Sequence, residues 1–594
     1  MWAGSKYITL YPGDCIQVKK PMINIEQAVF EKFPSFASQP GLIRKPTMSF
    51  LRRLIHEKEI NAFLEDHGHL KGFSFIDQVF EYFDFSYTVR ASDRRNIPAL
   101  GRVVIFANHP IGSLDGLAIL RLVSEIRPDV RIVANDMLSK FEGLRELIIP
   151  LDNMAGGSPR RAYKKVLDAL DNEEAIIVFP AGEVSRARPA GVRDSRWLPG
   201  FVNFARRANA PLLPVRIHAK NSLLFYGASM MFKPLGTALL AHEMFNKQSE
   251  SIRFSIGQAI PRQALDTQGL HDRTLVKRLK QHLYALGRKN RHPVFETETT
   301  IAHPQSPKLI QAELSQARCL GSTRDGNRIY LADCREETPL LKEIGRLREL
   351  AFRKVGEGTG RASDIDEYDY HYQHLVLWDT NQLEIAGAYR LGDGRAILAE
   401  RGETGFYTRS LYHFHPQFHH YLGQGLELGR SFVNPRYWGK ASLDYLWQGL
   451  GAFIATRPDI RYLIGPVSMS ADYPRELMDN LAYFYRRYHP SPERLADALN
   501  PYVLDDATRA ALDAEFENLS RDAAFERLQD KFQSLGHKLP VLFKQYSGLF
   551  EDGGFYAIVF SVDPDFGDCL DGLCMSDLHR LKAAKRKRYV VERD

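Results

Sequence analysis

The stretch VVIFANHPIGSLDGLA, residues 103–118, decides the fold of the first part of the chain. It opens with five apolar residues, which indicate a buried strand, and the apolar periodicity from Leu114 to Ile126 predicts a helix after it. Four more short apolar runs follow, separated by helical segments: RIVA (131–134), ELIIPL (146–151), AIIVF (175–179) and LLPVRI (212–217). Short apolar strands that alternate with helices predict an α/β domain on a mostly parallel sheet.

The second part of the chain has a different order of elements. HLVLWD (374–379) and EIAGAYRL (384–391) predict two consecutive antiparallel strands, and 426–433 predicts another strand. Residues 442–455 then predict an amphipathic helix, and RYLIG (461–465) a further strand. This order is typical of an α+β fold.

The length of 594 residues is too great for one compact domain, because single hydrophobic cores stop growing at about 250–300 residues. Residues 289–309 mix Pro, Thr and charge without periodicity, and we interpret them as an interdomain linker. We predict a helical N-terminal segment at 1–95 that packs on the first domain, the α/β domain at 96–288 and the α+β domain at 310–594.

The charge of the chain bears on its partners. The 79 basic and 72 acidic residues give a net charge of +7, which suits an anionic membrane, an acidic protein or nucleic acid. From Arg186 to Lys220, eight Lys or Arg and one acidic residue are interleaved with Trp197, Phe201 and Phe204. This mixture favours an anionic membrane surface, with a solvated helix face as the alternative. No nucleic-acid motif accompanies it, so nucleic acid is not predicted.

The cysteines and the apolar runs of the sequence indicate in which compartment the protein works. The five cysteines form no CxxC pair, which argues against a zinc ribbon or a disulfide framework and favours a reducing cytosol. No stretch approaches the ~18–20 uninterrupted apolar residues of a membrane span. We expect a cytoplasmic protein, peripherally associated with the inner membrane, that binds no metal and holds no cofactor tightly.

His109 and Asp115 form the first candidate site. A histidine that follows a buried strand can take a proton from a hydroxyl near neutral pH. A carboxylate on its other ring nitrogen would fix the tautomer and stabilise the imidazolium. The alternative is a loop histidine followed by an aspartate that the helix dipole favours.

Three further blocks follow NHPIGSLD in order: LDNMAGGSPRRA (151–162), FPAGE (179–183) and LPV (213–215). The four blocks together resemble the motifs of the glycerolipid acyltransferase family. The resemblance implies acyl transfer from a thioester to a hydroxyl, with His109 as general base and Asp115 orienting it. It also implies that Arg160 and Gly182 bind substrate.

Two departures from that family pattern concern the acceptor. Five residues separate His109 from Asp115 instead of the usual four, and Ala181 replaces the acidic residue before Gly182. Glu183 follows the glycine instead, so we expect an acceptor other than a simple phosphoglycerol, with Glu183 meeting a cation. The alternative is a solvated glutamate in a turn.

The text RSFVNPRYWGKASLDYLWQGL contains the second candidate site. Arg436, Gly439 and Ala441 stand between a strand and a helix and match the R-x-x-G-x-A pattern of the GNAT superfamily. The resemblance implies a GNAT-like domain in which backbone N–H groups and the helix N-terminus approach a phosphate of a pantetheine arm.

Other residues of this half resemble those of acyl-homoserine lactone synthases, which are GNAT-like and use acyl carrier protein: Arg348, Phe352, Asp366, Asp369, Arg390, Glu427 and Arg430. Glu427 is the candidate base for an attacking amine. Residues three apart on a strand face opposite ways, so cooperation of Glu427 with Arg430 requires a β-bulge, for which Gly429 is suited. The alternative is a surface ion pair.

The acidic loop of Asp364, Asp366, Glu367 and Asp369 is a hypothetical recognition element for a cationic amino acid, with a solvated loop as its alternative. The fusion of both domains resembles the bacterial bifunctional ornithine lipid synthases. The resemblance implies that the C-terminal domain N-acylates ornithine with a 3-hydroxyacyl group from acyl carrier protein. The N-terminal domain would then O-acylate lyso-ornithine lipid. Alternatives are a glycine, lysine or glutamine lipid synthase, a lysophosphatidic acid acyltransferase with an accessory domain, and an inactive membrane-surface binding protein.

Overall fold

The computed structural model describes residues 23–32, 34–135, 141–151, 159–186, 192–222, 242–245, 250–266, 269–288 and 294–590. The chain divides into two compact units, Met1–Thr300 and Ile301–Asp594. This division falls inside the predicted linker 289–309, of which 289–293 lie outside the described residues. None of the described helices is long and apolar enough to cross a membrane.

The first unit contains a sheet of seven described strands in the order β1-β7-β6-β2-β5-β3-β4. The strands are β1 Ser86–Val89, β2 Val103–Ala107, β3 Val130–Asn135, β4 Ile148–Leu151, β5 Ala175–Val178, β6 Leu212–His218 and β7 Ser251–Ile256. The five from β6 to β4 run parallel, whereas β7 is antiparallel to β6 and parallel to β1. The mostly parallel α/β sheet is confirmed.

The described helices of this unit pack on the two faces of the sheet or lie in the segment that precedes it in the chain. They are α1 Ile25–Lys32, α2 Pro34–Ala37, α3 Gly41–Leu54, α4 Glu57–His67, α5 Gly72–Tyr82, α6 Ala91–Arg94, α7 Ser113–Ser124, α8 Pro159–Asp171, α9 Gly200–Arg207, α10 Gln263–Asp266 and α11 Asp272–Ala285, with a 3-10 turn at Glu142–Leu144.

Strand β2 is buried on both faces, which explains its uninterrupted apolar text. Val104 and Phe106 pack into one core with Trp197 and Phe201, while Ile105 belongs to the core on the opposite face. The predicted interfacial role of the aromatic rings is therefore wrong. Trp197, Phe201 and Phe204 are 4%, 1% and 7% exposed, because their spacing directs them into the core beneath the sheet.

The second unit contains an eight-stranded sheet in the order β16-β17-β14-β13-β11-β10-β9-β8, and β12 and β15 pair separately. The strands are β8 Arg318–Ser322, β9 Arg328–Asp333, β10 Gln373–Asp379, β11 Glu384–Asp393, β12 Tyr412–Phe414, β13 Gly425–Val433, β14 Tyr462–Met469, β15 Ala496–Ala498, β16 Phe555–Asp563 and β17 Cys569–Asp577. Strands and helices mix in the predicted α+β manner.

The described helices of the second unit are α12 Pro307–Gln316, α13 Pro339–Arg353, α14 Gly394–Arg401, α15 Phe418–Leu422, α16 Ser442–Ala455, α17 Arg475–Tyr488, α18 Asp506–Glu515, α19 Arg521–Ser534, α20 Val541–Leu549 and α21 Ala583–Tyr589. Short 3-10 turns lie at Glu367–Tyr370, Gly402–Gly405, Tyr407–Ser410, Pro435–Tyr437, Pro564–Phe566 and Leu578–Arg580.

Strands β13 and β14 are parallel, whereas every other pair of neighbours in this sheet is antiparallel in the part of the chain described. They pair only from Gly425 with Tyr462 to Glu427 with Ile464. Beyond that point β13 continues along β11, and β14 continues along β17. The two strands therefore diverge and leave an open cleft in the sheet, which we call the splayed cleft.

Candidate active sites

The first site lies at the carboxyl edge of β2. Nδ1 of His109 is 2.9 Å from Oδ1 of Asp115, which is fully buried in the first turn of α7. The other Asp115 oxygen accepts a hydrogen bond from the Ile111 N–H at 2.9 Å. Gly112, with φ 99°, makes the turn that brings the pair together across five intervening residues.

The electrostatics of His109 suit a general base. With its Nδ1 facing a carboxylate, that nitrogen carries the proton and Nε2 is the acceptor. Burial would lower the pKa of His109, but the carboxylates of Asp115 and Asp194 outweigh it and raise the pKa above its ordinary value. The ring, 19% exposed, stacks on Phe179 with centroids 4.1 Å apart.

Asp194 is a residue of this site that the sequence did not reveal. Its Oδ1 accepts hydrogen bonds from the His109 N–H at 3.2 Å and from the Ser185 hydroxyl, and its Oδ2 accepts one from the Trp197 indole at 2.9 Å. The Ser185 N–H in turn donates to the His109 carbonyl at 2.7 Å. Asp194 therefore fixes the backbone on both sides of the histidine.

The FPAGE block reaches the same edge of the sheet, because β5 and β2 are parallel neighbours with Phe106 beside Val178. Gly182 has φ 62° and its N–H donates to the Phe179 carbonyl at 3.0 Å. Glu183 forms an ion pair of 3.2 Å with Arg186. The cation that Glu183 meets in the structure is thus this arginine.

The Arg-bearing block is described only in part. Arg160 is exposed in the first turn of α8, whereas residues 152–158 lie outside the described part of the chain. Its role as a substrate-binding residue stays a prediction.

The second site is built around the splayed cleft. The register of β11 and β13 shifts between Ala388 and Arg390, where Arg430 and Ser431 of β13 lie opposite the single residue Tyr389 of β11. The β-bulge that cooperation of Glu427 with Arg430 requires is present, but its left-handed residue is Arg430, with φ 49°, rather than Gly429. Arg430 lines the splayed cleft together with the predicted Phe352.

Glu427 is 2% exposed and hydrogen-bonded on both oxygens. One oxygen accepts from the Thr408 N–H at 2.9 Å, and the other accepts from the Tyr372 hydroxyl. Burial and the Glu427 carboxylate raise the pKa of Tyr372 well above its ordinary value, so the phenol keeps its proton and donates it. Tyr372 also accepts from the Tyr407 N–H at 3.0 Å, and the ring of Tyr407 lines the cleft.

The other predicted residues of this half form a buried network of charges. Arg348 binds Asp369 through two nitrogens at 2.8 Å each and Asp364 at 3.1 Å. Arg390 lies 2.5 Å from Asp366 and 3.3 Å from Asp369. Burial would raise the pKa of Asp369, but the two guanidinium groups hold it well below its usual value.

This network bears on the hypothesis that the acidic loop recognises a cationic amino acid. Asp364 and Asp369 are 2% and 0% exposed and meet arginines, and Asp366 caps the 3-10 turn that contains Asp369. For Asp364 and Asp369 neither interpretation of the loop is correct, because both side chains are buried and bound to arginines. Their paired charges hold Arg430 beside the cleft, 3.4 Å from Asp364.

The predicted phosphate loop follows β13. Gly439 has φ 76°, and Ala441 is the N-cap of α16, whose first N–H groups have no side-chain cap. Arg436 is 64% exposed and pairs with Glu384 at 2.7 Å. The loop and the helix N-terminus supply the backbone donors that an anionic phosphate requires.

Comparison with known proteins identifies both units. The model of a family described as acyltransferase matches residues 27–290, and that of the acetyltransferase (GNAT) domain matches residues 347–448. The glycine N(alpha)-acyltransferase of Bacteroides thetaiotaomicron is 32% identical over 307 residues, which are 49% of this chain and 89% of that protein. The chain belongs to the aminolipid acyltransferases.

Two further relatives represent the two reactions of aminolipid acyltransferases. The lyso-glycine lipid O-acyltransferase of Phocaeicola vulgatus is 30% identical over 37% of this chain and 80% of its own length. The L-ornithine N(alpha)-acyltransferase of Rhodobacter capsulatus is 30% identical over 40% of this chain and 89% of its own length. A solved acyltransferase, PlsC from Thermotoga maritima, matches 43% of this chain and 90% of its own at 16% identity and a TM-score of 0.24.

The predicted fusion of an acyltransferase domain with a GNAT domain is therefore confirmed. This aminolipid acyltransferase is an enzyme that takes acyl groups from a thioester, carried by coenzyme A or by acyl carrier protein.

Proposed function

We propose that this aminolipid acyltransferase makes ornithine lipid in two steps. Its C-terminal unit N-acylates ornithine with a 3-hydroxyacyl group, and its N-terminal unit O-acylates the resulting lyso-lipid. The observation that carries the proposal is the presence, in one chain, of similarity to amino-acid N-acyltransferases and to a lyso-lipid O-acyltransferase, with His109 and Asp115 2.9 Å apart.

In the first step, the α-amine of the amino acid attacks the thioester carbonyl in the splayed cleft. The C–N bond forms, the C–S bond breaks, and the departing thiolate takes up a proton that the amine releases. Glu427 is our candidate base for that proton. Because both its oxygens carry hydrogen bonds, we propose that the proton reaches it through the Tyr372 hydroxyl rather than directly.

In the second step, Nε2 of His109 takes the proton of the 3-hydroxyl group as its oxygen attacks a second thioester. An ester bond forms, the C–S bond breaks, and the imidazolium returns the proton to the thiolate. Asp115 stabilises the imidazolium during this step, and Asp194 holds the histidine backbone in place. Both acceptor and product lack phosphate, which is consistent with Ala181 in the FPAGE block.

We propose acyl carrier protein as the donor in preference to coenzyme A. That carrier is acidic, and a chain with a net charge of +7 attracts an acidic partner most strongly at low salt. The pantetheine phosphate would lie on the backbone of Gly439 and Ala441 at the N-terminus of α16.

We also propose peripheral association with the inner membrane through α3. Leu42, Ile43 and Phe50 are 91%, 55% and 59% exposed on this helix, whose sequence also contains Lys45 and Arg53. Exposed apolar side chains beside basic ones suit the surface of an anionic bilayer. Leu42→Ser with Phe50→Ser should weaken sedimentation with anionic vesicles about tenfold, and the exposed Leu499→Ser serves as the control.

A glycine lipid is the second candidate product, because the glycine N(alpha)-acyltransferase is 32% identical over 307 residues, whereas the ornithine enzyme is 30% identical over 261 residues. The two are separated by expression in a host that lacks aminolipids. The cells are fed isotope-labelled ornithine or labelled glycine, and the lipid extract is analysed by mass spectrometry. Labelled ornithine in a new di-acyl lipid supports the proposal. A new di-acyl lipid that carries only labelled glycine would instead make glycine the acceptor amino acid.

A further inference from the structure

The splayed cleft is lined by a buried carboxyl group as well as a buried cation. Asp571 on β17 and Arg430 on β13 both line it. Asp571 lies directly opposite Ser468 of β14 and Ser561 of β16 in the antiparallel ladders, so the three side chains share one face of the sheet. That face also carries Glu427, which pairs with Ile464 four residues before Ser468.

The carboxylate of Asp571 has no hydrogen-bond donor among the described residues, although the residue is only 3% exposed. Its nearest cation, Arg430, is already held 3.4 Å from Asp364 and lies over the rings of Tyr407 and Phe566 at 4.7 and 4.8 Å. Buried carboxylates in folded proteins are almost always paired. Asp571 is therefore placed to accept a hydrogen bond from a molecule that enters the cleft it lines.

Two more carboxylates lie close to Asp571. Asp563 ends β16, and the Ser468 hydroxyl donates to Oε2 of Glu357 at 3.0 Å. Burial raises the pKa of Glu357 to about 7. Burial, followed by the charges of Asp563 and Glu357, raises the pKa of Asp571 well above its usual value. We call this group of Glu357, Asp563 and Asp571 the acidic pocket. Its surroundings supply too little positive charge for all three groups to ionise, and a bound cation would favour their charged forms.

We propose that the acidic pocket binds the side-chain ammonium of a basic amino acid, the acceptor of the N-acylation, while Arg430 pairs with its α-carboxylate. An ammonium offers three donors, enough for more than one carboxylate of the pocket. Glycine has no side chain that reaches it. The acceptor class is therefore a cationic amino acid with the chemistry of ornithine or lysine, and this inference rests on the proposed N-acylation.

The test measures kcat/KM of the purified full-length protein with a 3-hydroxyacyl thioester and four acceptors: ornithine, lysine, 2-aminopentanoate and glycine. 2-Aminopentanoate has the ornithine skeleton without its terminal amine. The wild type should prefer ornithine to 2-aminopentanoate by about 10- to 100-fold, the value of a charge-assisted hydrogen bond. Lysine should rank with ornithine, and glycine with 2-aminopentanoate.

Asp571→Asn removes the charge and keeps the shape. It should raise KM for ornithine and bring the ratio of ornithine to 2-aminopentanoate to within about threefold of one. A cooperative thermal unfolding transition of the purified variant shows that it is folded. Asp568→Asn is the matched control, because Asp568 is exposed in the β16–β17 connection with φ 55°, which asparagine tolerates. Its ratio should equal that of the wild type.

Several outcomes would overturn the inference and leave the N-acylation standing. They are a wild type that uses glycine or 2-aminopentanoate as well as ornithine, an unchanged ratio in Asp571→Asn, and an equal loss with all four acceptors. A wild type that acylates no amino acid would overturn the proposed function itself.

Discussion

The two candidate active sites use buried charge in different ways. In the first unit, one histidine and one aspartate meet at the edge of a parallel sheet, and the histidine is 19% exposed. In the second unit, arginines and aspartates neutralise each other inside the domain, and Arg348 and Arg390 are both 1% exposed. We propose that the first arrangement moves a proton, whereas the second keeps a charge beside the splayed cleft.

Under the proposed function, this difference follows from the two nucleophiles, a hydroxyl in the first site and an amine in the second. A hydroxyl must lose its proton as it attacks, so its site needs a base with a pKa near neutral. An amine attacks with its lone pair and loses a proton afterwards. The residues of its site can therefore serve mainly to bind and orient the substrates. The comparison predicts that single substitutions will separate the two activities cleanly.

The largest effect is expected for His109→Ala. Loss of the general base should lower O-acylation by about 10³-fold and leave N-acylation unchanged, so the mono-acylated lyso-lipid accumulates. Mass spectrometry of lipid extracts measures both products. His69→Ala, an exposed histidine after α4, is the matched control and should behave as the wild type. An unchanged di-acyl lipid in His109→Ala would break the assignment of O-acylation to the first unit.

Glu427→Gln should have the next largest effect, on the other reaction. N-acylation should fall about 10²-fold because the candidate base is lost, and both lipids should fall in cells. Purified protein supplied with lyso-lipid should still O-acylate it at the normal rate. Glu400→Gln, on the exposed face of α14, is the control. If N-acylation survived Glu427→Gln, the amine would need no base from this residue.

The pH dependence of the two reactions should also differ. O-acylation needs neutral His109, whose pKa is raised, so kcat/KM should be high above that pKa and fall as the pH drops through it. Asp115→Asn removes the main cause of the raised pKa, so this acid limb should move to lower pH, and the maximal rate should also fall because the histidine loses the group that fixes its tautomer. The profiles of wild type and variant check this, and N-acylation should show the same acid limb in both proteins.

The sequence reveals these sites unequally. Strand β2 is predicted to the residue because both its faces are buried and all five residues are apolar. Strand β17 is equally buried, yet Asp571 and Gly572 interrupt its apolar text, so its periodicity gives no signal. The sequence predicts a surface position for Trp197 and Phe201 because the same spacing of apolar residues occurs in core-facing and in interfacial helices.

The same limit applies to the site residues. His109 and Asp115 are close in sequence, so their spacing is enough to find them. Asp194 lies 85 residues from His109, and no motif surrounds it. The roles of Arg348 and Asp369 depend on which charged side chains meet in three dimensions. The order of charged residues along the sequence does not contain that information.

The smallest effect is expected for Arg436→Ala, which concerns binding of the acyl donor at the second site. Arg436 is 64% exposed and its pair with Glu384 lies at the surface, where such pairs contribute only about 0–1 kcal/mol to stability. The melting temperature should therefore not change measurably. If the backbone of Gly439 and Ala441 holds the pantetheine phosphate, KM for the acyl thioester should rise only about two- to fivefold, with kcat unchanged. Glu384→Gln removes the ion-pair partner of Arg436 but leaves the charge of Arg436 in place, so it should leave that KM at the wild-type value. A loss of more than about 30-fold in Arg436→Ala would instead make the arginine side chain the main phosphate ligand.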